Sequence, residues 1–379
     1  MIVFNRPHVI GTEFAYIEQA IADGRLAGNG GFGRRCGDWL EQRLGCAKAL
    51  ITPSCTAALE LCALLADIGP GHEVIMPSYT FVSTANAFAL RGATPVFVDI
   101  RADTINLDER LIEQAITART RAIVVVHYAG VSCAMDAIMA IAERHGLIVI
   151  EDAAHALMST YRGRPVGSIG HLGTLSFHET KNVHCGEGGA LLVNDERFVE
   201  RAEILQEKGT DRARFFRGEV DRYTWVDVGS SLLLSDISSA FLWAQLEHAG
   251  EITAARMRIW NAYHAAFEGL EARGLLRRPI VPENCGHNAH MYFLLLHAGG
   301  SRDAFIAALA GDGVHAVFHY VPLHSSPAGL RCGRVAGDLP VTDNAGERLV
   351  RLPLWIELGY DDVARIVGAV HAAAAACVG

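Results

Sequence analysis

Residues 122–152 read AIVVVHYAGVSCAMDAIMAIAERHGLIVIED, and this stretch predicts the fold. Two short runs rich in Val and Ile, 122–127 and 147–151, flank a helix-length segment at 135–145. Both runs are apolar on both faces, which is typical of strands buried beneath helices on either side. A strand, a helix and a second strand in this order indicate a parallel pair joined by a crossover helix.

The same alternation extends in both directions along the chain. Further runs with the length and composition of buried strands lie at 73–77, 95–99, 172–177 and 189–194. A helix is expected over 106–116, where Asn106 can cap an apolar stripe that includes Leu107, Ile112 and Ile116. The pattern therefore predicts an α/β domain with a largely parallel sheet flanked by helices.

After about residue 200 the pattern changes. Helical spacing marks 235–273 and 360–376, and strand-like runs lie at 290–297 and 314–321. A chain of 379 residues is long enough for two domains. We expect an N-terminal segment and a large domain over residues 1–245, followed by a smaller α+β domain over residues 246–379.

Composition and charge exclude several classes of protein. Half of the residues are hydrophobic and 20% are charged, which favours a globular core over a disordered chain. The net charge of −9 argues against nucleic acid as a partner. Nine cysteines, the last at Cys377, form no C-x-x-C pair, so buried thiols are expected rather than disulfides or a zinc site. With no leader pattern and no apolar run of roughly 20 residues, we expect a soluble cytoplasmic protein without a membrane partner.

Polar side chains follow several predicted strands, where ligands bind in open α/β sheets. Lys181 follows one strand within SFHETKNVHCGEGG, and Asp152 follows another within VIEDAAHA. A lysine whose pKa is lowered by burial can condense with an aldehyde cofactor, although most lysines are solvated surface groups. Pyridoxal phosphate (PLP) also requires an acidic partner for its ring nitrogen, a phosphate site and an aromatic face. Asp152 can supply the acid, or it can cap a helix that follows it.

The segment TPSCTAALE at 52–60 is a candidate phosphate site. Small and hydroxyl residues precede an Ala- and Leu-rich helix, whose free N–H groups attract anions. Ser54, Cys55 and Thr56 would lie at that helix N-terminus, and Ser176 could add a hydroxyl. A plain helix cap is the alternative interpretation.

Together these motifs resemble one known family. TPSCTAALE, VIMPSYTFVSTANA, VVHYAG, VIEDAAHA, SFHETKN and GEGG occur in an order and spacing similar to those of the DegT/DnrJ/EryC1/StrS family of PLP-dependent sugar aminotransferases. The resemblance covers essentially the whole chain, including GSSLLLSD at 229–236 and HYVPLH at 319–324. It implies an aspartate-aminotransferase-like fold (fold type I), PLP as cofactor, and a homodimer whose active sites are shared between subunits.

The resemblance also implies individual roles. Lys181 would bind the cofactor covalently and move the proton between cofactor and substrate, while Asp152 would pair with the pyridine nitrogen. The other implied positions are His155 beside the phenolic oxygen, Phe81 on the ring face, Cys55, Thr56 and Ser176 at the phosphate, Ser231 reaching the phosphate of the neighbouring subunit, and His319 and His324 at the sugar. Cys55 stands where the family usually has Gly, and Ser231 where it usually has Asn. Because some relatives replace the lysine with His and dehydrate their substrate, Lys181 favours transamination.

The implied substrates are an amino acid, glutamate by analogy, and dTDP-4-keto-6-deoxy-D-glucose, which would be aminated at C4 to the galacto or the gluco product. Candidate cations for the nucleotide diphosphate are Arg34, Arg35, Lys208, Arg212 and Arg214. The alternatives are an aminotransferase for another keto sugar and a non-enzymatic sensor that binds PLP or a nucleotide sugar. A zinc hydrolase using His315, His319 and His324, and a nicotinamide enzyme using GNGGFG at 28–33, have weaker support because HAVFH lacks the metalloprotease Glu and GNGGFG follows no strand.

Overall fold

The computed structural model describes residues 1–376, so Cys377 lies outside the described residues. Its strands are β1 (Lys48–Thr52), β2 (Glu73–Pro77), β3 (Thr94–Val98), β4 (Thr120–Val126), β5 (Ile148–Asp152), β6 (Thr160–Tyr161), β7 (Arg164–Pro165), β8 (Leu172–Ser176), β9 (Gly189–Val193), β10 (Leu276–Arg277), β11 (Cys285–Gly286), β12 (Tyr292–Leu296), β13 (Arg334–Val335) and β14 (Leu349–Leu352). Its α-helices are α1 (Glu13–Ala22), α2 (Gly31–Leu44), α3 (Cys55–Leu65), α4 (Val82–Ala89), α5 (Ile112–Ala115), α6 (Met135–His145), α7 (Val199–Gln206), α8 (Arg212–Phe216), α9 (Asp236–Glu247), α10 (Ala249–Ala266), α11 (Glu268–Ala272), α12 (Arg302–Gly311), α13 (Pro327–Cys332), α14 (Pro340–Arg348) and α15 (Tyr360–Ala376).

An eight-stranded sheet in the order β1-β9-β8-β5-β4-β2-β3-β13 forms the centre of the molecule. Neighbouring strands from β8 to β13 are parallel, whereas β9 runs antiparallel to both β8 and β1. Successive residues of β4 point into different cores: Ile123 belongs to one buried cluster and Val124 to the other. Since both faces of the sheet are buried, the α/β domain with a mostly parallel sheet is confirmed.

The remaining sheets are smaller. Strands β10, β12 and β14 form an antiparallel sheet whose core includes Tyr263, Tyr292 and Val350. A third sheet contains β11, β6 and β7. Although it follows residue 245, β13 joins the central sheet beside β3. The division of the chain at residue 245 remains a prediction.

Two local predictions were wrong. Residues 106–116 form a 3₁₀ turn at Glu109–Leu111 and the short helix α5 instead of one helix. Asn106 does not cap a helix, because its side chain donates to Val131 O and accepts from Tyr128 N. Residues 314–321 form no strand, since only Val314 and Val317 make isolated bridges, to Ile2 and Arg351 respectively. Strand β1 was not predicted.

Across residues 1–376, no helix has both the length and the apolar character needed to cross a membrane.

Candidate active site

A cavity of about 630 Å³ opens where the carboxyl ends of β4, β5 and β8 face the start of α3. Most of the predicted site residues line this cavity, namely Cys55, Thr56, Phe81, Asp152, His155, Ser176, Lys181 and His319. The parallel strands bring them together from distant parts of the sequence, as expected for ligand sites in open α/β sheets.

Asp152 is the last residue of β5 and is buried in the cavity wall. Thr84 Oγ1 donates to Asp152 Oδ2 at 2.8 Å, and the Ala154 amide donates to Asp152 Oδ1 at 3.2 Å. Burial raises the pKa of this carboxyl above its usual value, while the hydrogen bond from Thr84 opposes that rise. The residues after Asp152 form turns, so the alternative interpretation as a helix cap was wrong. A protonated pyridine nitrogen is the kind of partner that a carboxylate in this position requires.

Lys181 lines the same cavity as Asp152, and burial lowers the pKa of its amine. The whole chain contains only three lysines. Lys48 pairs with Glu41 at 2.8 Å, and Lys208 lies 3.7 Å from Glu207. Neither of these two lines the cavity, so Lys181 is the only lysine available to an aldehyde bound there.

The start of α3 forms one end of the cavity. The Ser54 hydroxyl accepts from Ala57 N at 3.1 Å, so it serves as the helix cap. The next amides, of Cys55 and Thr56, cannot find carbonyl partners within their own helix. Strand β9 passes so close that a Cβ on Gly189 would lie 2.4 Å from Cys55 N. These backbone N–H groups and the Thr56 hydroxyl, which lies 2.7 Å from Ser83 Oγ, remain a candidate anion site.

Aromatic and imidazole rings also line the cavity. His155 stacks on His290 with ring centroids 4.3 Å apart, and its Nε2 lies 3.3 Å from Tyr320 Oη. Burial lowers the pKa of His155 well below its usual value, so the ring is neutral. Its Nδ1 is buried and has no hydrogen-bond partner within residues 1–376. Phe81 is 57% exposed and presents its ring to the cavity.

These residues fit PLP: a buried carboxylate, one lysine, a helix N-terminus, an exposed aromatic ring and an unpartnered imidazole nitrogen surround one cavity. A family model described as the DegT/DnrJ/EryC1/StrS aminotransferase family matches residues 8–371. The chain belongs to this aminotransferase family. It is 38% identical over 336 residues to the Bacillus subtilis spore coat polysaccharide biosynthesis protein SpsC, with 86% of each chain covered.

Solved structures agree with this assignment. The aminotransferase TlmJ from Streptoalloteichus hindustanus superimposes with a TM-score of 0.91 at 31% identity, with 100% of each chain covered. The PLP form of Spr1654 from Streptococcus pneumoniae gives a TM-score of 0.91 at 27% identity, again with 100% of each chain covered. Fold type I and PLP as the cofactor of this aminotransferase are thereby confirmed.

Two predicted site residues of this aminotransferase lie outside the cavity. Ser231 lines a second cavity of about 780 Å³, whose lining residues are different from those of the first cavity. His324 places its Nδ1 2.8 Å from Ser78 Oγ and its Nε2 3.3 Å from Asp343 Oδ1. These contacts hold His324 to its own chain. Since His324 does not line the cavity, the cavity does not support its predicted contact with the sugar. The contact of Ser231 with a neighbouring subunit stays a prediction.

The candidate cations divide into two groups. Arg34, Lys208 and Arg212 line the same second cavity as Ser231. Arg35 instead packs over the Phe32 ring, and Arg214 pairs with Glu200 and Glu219.

Other cavity residues were not predicted as site residues. His290, Tyr320, Arg256 and Arg351 belong to this set. Thr84, which donates to Asp152 from behind the cavity lining, was also not predicted. Thr84 and Tyr320 lie within quoted motifs and could have been found there. The sequence around the two arginines does not point to a site, because only the folded chain brings them to the cavity that Lys181 lines.

The structure supports neither the nicotinamide enzyme nor the zinc hydrolase that the sequence left as alternatives. Asp236 accepts hydrogen bonds from Gly33 N at 2.8 Å and Phe32 N at 3.3 Å, so a carboxylate of this chain occupies the helix N-terminus that follows GNGGFG. His319 Nδ1 lies 2.7 Å from Tyr128 Oη, in different surroundings from those of His324. Within residues 1–376 no group of three His, Cys, Asp or Glu side chains is placed to hold a metal.

Proposed function

We propose that this aminotransferase moves an amine from an amino acid, L-glutamate, to C4 of dTDP-4-keto-6-deoxy-D-glucose. The observation that carries the proposal is that one cavity is lined by the half-buried Lys181, the buried carboxylate of Asp152 and the N-terminus of α3. The name of SpsC, which refers to polysaccharide biosynthesis, supports a sugar as the acceptor. The specific nucleotide sugar is what the resemblance of the opening pattern FN-P-V-GTE, at residues 4–13, to a dTDP-sugar transaminase implies.

Each side chain of the cavity has its own role in the proposed reaction. When bound, PLP supplies an aldehyde that takes up the donor's amine and a ring that withdraws electrons. Asp152 keeps the ring nitrogen protonated, which preserves that electron withdrawal. Lys181 Nζ moves a proton to and from the reacting carbon, and its lowered pKa suits this role near neutral pH. The N–H groups of Cys55 and Thr56 hold the phosphate, and Phe81 covers the ring.

The stereochemistry at C4 depends on which face of the sugar meets the cofactor. In the opening pattern, the segment GNGGFGRRC, Cys55 and Ser231, the chain resembles the dTDP-4-amino-4,6-dideoxygalactose transaminase of enterobacterial common antigen synthesis. This resemblance favours an axial amine and the galacto product over the gluco product.

We place the enzyme in the cytoplasm as a homodimer. The described cysteines are all free thiols, which agrees with a reducing compartment. Phe216, Trp225 and Val228 are 65%, 75% and 61% exposed, close in sequence to Ser231. Large exposed apolar groups of this kind favour a second copy of the chain as their cover. Light scattering on the purified protein tests this assembly, and a monomer at micromolar concentration would contradict it.

The experiment that tests the function is a coupled incubation. The protein, PLP, L-glutamate and dTDP-4-keto-6-deoxy-D-glucose are mixed, with Lys181→Ala in parallel, and the product is read by proton NMR. Small H3–H4 and H4–H5 couplings assign the galacto product, and large couplings assign the gluco product. If PLP binds but no amino sugar forms, the acceptor is wrong. A panel of other keto sugars then separates a different aminotransferase from a non-enzymatic sensor.

A further inference from the structure

His290 has a fixed place in the wall of the cavity. Its backbone N–H donates to Asn288 Oδ1 at 3.1 Å, and Arg256 Nη2 donates to its carbonyl oxygen at 2.7 Å. Its imidazole stacks on that of His155, with the ring centroids 4.3 Å apart. The chain itself therefore holds both the backbone and the ring of His290, which is the arrangement of a preorganised site.

One side-chain amide determines which ring nitrogen of His290 carries the proton. Asn182, which follows Lys181 in the chain, donates from Nδ2 to Asn288 O at 2.8 Å. The Asn182 amide is thereby oriented so that its Oδ1 lies 3.1 Å from His290 Nδ1. Because an amide oxygen can only accept, His290 Nδ1 must donate and must bear the proton of the neutral ring. The opposite orientation would bring two acceptors together, Asn182 Oδ1 and Asn288 O.

The other ring nitrogen of His290 is then an acceptor. Burial above all, and then the charges of His155 and Lys181, lower the pKa of His290 well below its usual value, so the ring is neutral near pH 7. In this tautomer Nε2 carries a lone pair. Nε2 has no hydrogen-bond partner among residues 1–376, whereas Nδ1 is occupied by Asn182. An unpaired acceptor in a buried side chain is costly, so Nε2 is suited to a donor that enters the cavity.

The two proposed substrates differ in the donors that they offer to this nitrogen. A ring that stays neutral is a weak base, and an uncharged acceptor suits an uncharged O–H group. L-Glutamate has no alcohol hydroxyl, whereas the keto sugar has one on C3, the carbon next to the reacting C4. The charge of Lys181 acts on His290, so the ring lies near the group at which the proton is transferred. The C3 hydroxyl is therefore the donor whose position matches that of His290.

We propose that His290 Nε2 accepts a hydrogen bond from the hydroxyl next to the ketone of the acceptor sugar. The enzyme would thereby select keto sugars that have this hydroxyl over analogues that lack it. Asn182 is a positioning residue in this account, because it sets the tautomer of His290. The inference rests on the proposed function as a sugar aminotransferase and deepens it by naming the class of acceptor. It does not depend on the amino donor or on the stereochemistry at C4.

The test compares two acceptors. With saturating PLP and L-glutamate, kcat/KM is measured for dTDP-4-keto-6-deoxy-D-glucose and for the same nucleotide sugar without the C3 hydroxyl. The wild type should prefer the hydroxylated sugar by at least about ten- to hundred-fold, because the deoxy sugar leaves a buried acceptor unpaired. His290→Phe keeps a flat ring that can stack on His155 but has no acceptor. This variant should lose most of the preference, and the loss should fall on the hydroxylated sugar.

A matched control separates this role from a general effect of replacing an imidazole. His264 stacks on Trp260 with ring centroids 4.5 Å apart and does not line the cavity. His264→Phe should therefore keep the preference of the wild type.

The tautomer can be read without turnover. In apoenzyme labelled with ¹⁵N-histidine, NMR should show His290 with a protonated Nδ1 and a bare Nε2. The His290 signal is identified by its absence from the spectrum of His290→Phe. Asn182→Leu removes the amide oxygen and should give a mixture of both tautomers, together with a reduced preference for the hydroxylated sugar.

Three results would overturn the inference: an unchanged preference in His290→Phe, an equal loss on both sugars in that variant, or a protonated Nε2 in the wild type. Failure of the proposed acceptor would look different, because the wild type would then aminate neither sugar of the pair. The comparison is in that case made with the keto sugar that the wild type does aminate and its deoxy analogue. If no keto sugar is aminated, the proposed function fails and this inference fails with it.

Discussion

Thr84 Oγ1 donates a 2.8 Å hydrogen bond to Asp152 Oδ2, and both side chains are buried. This bond opposes the rise that burial causes in the pKa of Asp152, so Thr84 helps to keep the carboxylate ionised. An ionised Asp152 is the form that holds a protonated pyridine nitrogen. Thr84 is therefore a positioning residue for the group that binds the cofactor ring.

Thr84→Val should weaken PLP binding. Removing a hydrogen bond to a charged group costs about 1.5–3 kcal/mol, which corresponds to roughly a ten- to hundred-fold higher dissociation constant. Fluorescence titration of the apoenzyme with PLP measures this change. Thr84→Ser retains the hydroxyl and should bind nearly as the wild type does; equal weakening in both variants would show that the loss is not specific to the hydroxyl and would contradict the prediction.

The lowered pKa of Lys181 predicts the pH dependence of cofactor attachment. Because the neutral amine is the nucleophile, attachment should accelerate as pH rises through the pKa of Lys181. Burial lowers that pKa below the usual 10.5, so the midpoint should fall below that of an exposed lysine. Stopped-flow absorbance of apoenzyme with PLP, as a function of pH, checks this. A midpoint at or above 10.5 would mean that the amine is fully solvated.

Glu73 joins β2 to the segment that carries β13. Arg334 donates to both of its carboxylate oxygens, at 3.0 and 2.7 Å, and Thr117 donates at 2.8 Å. The hydrogen bonds from Arg334, above all, lower the pKa of Glu73 to about 2. A carboxylate with a lowered pKa stabilises the folded state above its unfolded pKa, and this contribution is lost as pH falls from about 5 towards 2.

Glu73→Gln should accordingly lower the free energy of unfolding at pH 7 by about 2–3 kcal/mol. Its stability should then change less than that of the wild type between pH 5 and pH 2. Urea unfolding at a series of pH values measures both effects. Glu113→Gln, which removes an exposed carboxylate beside Arg144, is the control and should change little. Parallel pH profiles for wild type and Glu73→Gln would refute the prediction.

Gly30 and Gly31 provide a matched pair at the start of α2. A Cβ on Gly30 would lie 2.2 Å from Asp236 Cγ, whereas a Cβ on Gly31 would meet nothing within 4 Å. Gly30→Ala should push Asp236 away from the amides of Phe32 and Gly33 and cost about 1–3 kcal/mol of stability. Gly31→Ala should be close to neutral. Thermal unfolding of both variants measures these changes in stability. Similar losses of stability in the two variants would contradict the prediction and show that the structure relieves the clash at Gly30.

Local patterns in the sequence were sufficient to predict six of the eight strands of the central sheet. Runs such as 122–127 and 147–151 are continuous and apolar, because both faces of β4 and β5 are buried. Strand β1 was missed because KALIT begins with a half-buried lysine. The run 314–321 is apolar enough to resemble a strand, but its residues pair only singly, with Ile2 and Arg351.

The candidate site was only partly predictable for a related reason. Lys181, Asp152 and Cys55 lie in motifs at strand and helix ends, where the chemistry of each residue is readable from its neighbours. The position of Arg351 in the cavity could not be predicted, because its contacts with Phe318 O and the Phe4 ring form only in the folded chain. His324 had the right residue type in the right motif, yet Ser78 and Asp343 hold its ring outside the cavity.

The most direct test of the account is to trap the cofactor on the protein. PLP-loaded enzyme is reduced with borohydride and digested, and the labelled lysine is identified by mass spectrometry. Because the chain has only three lysines, the result is unambiguous. The account predicts the label on Lys181, and predicts no label once excess amino-acid donor has been added before the reductant. Label on Lys48 or Lys208, or label that persists after the donor, would contradict it.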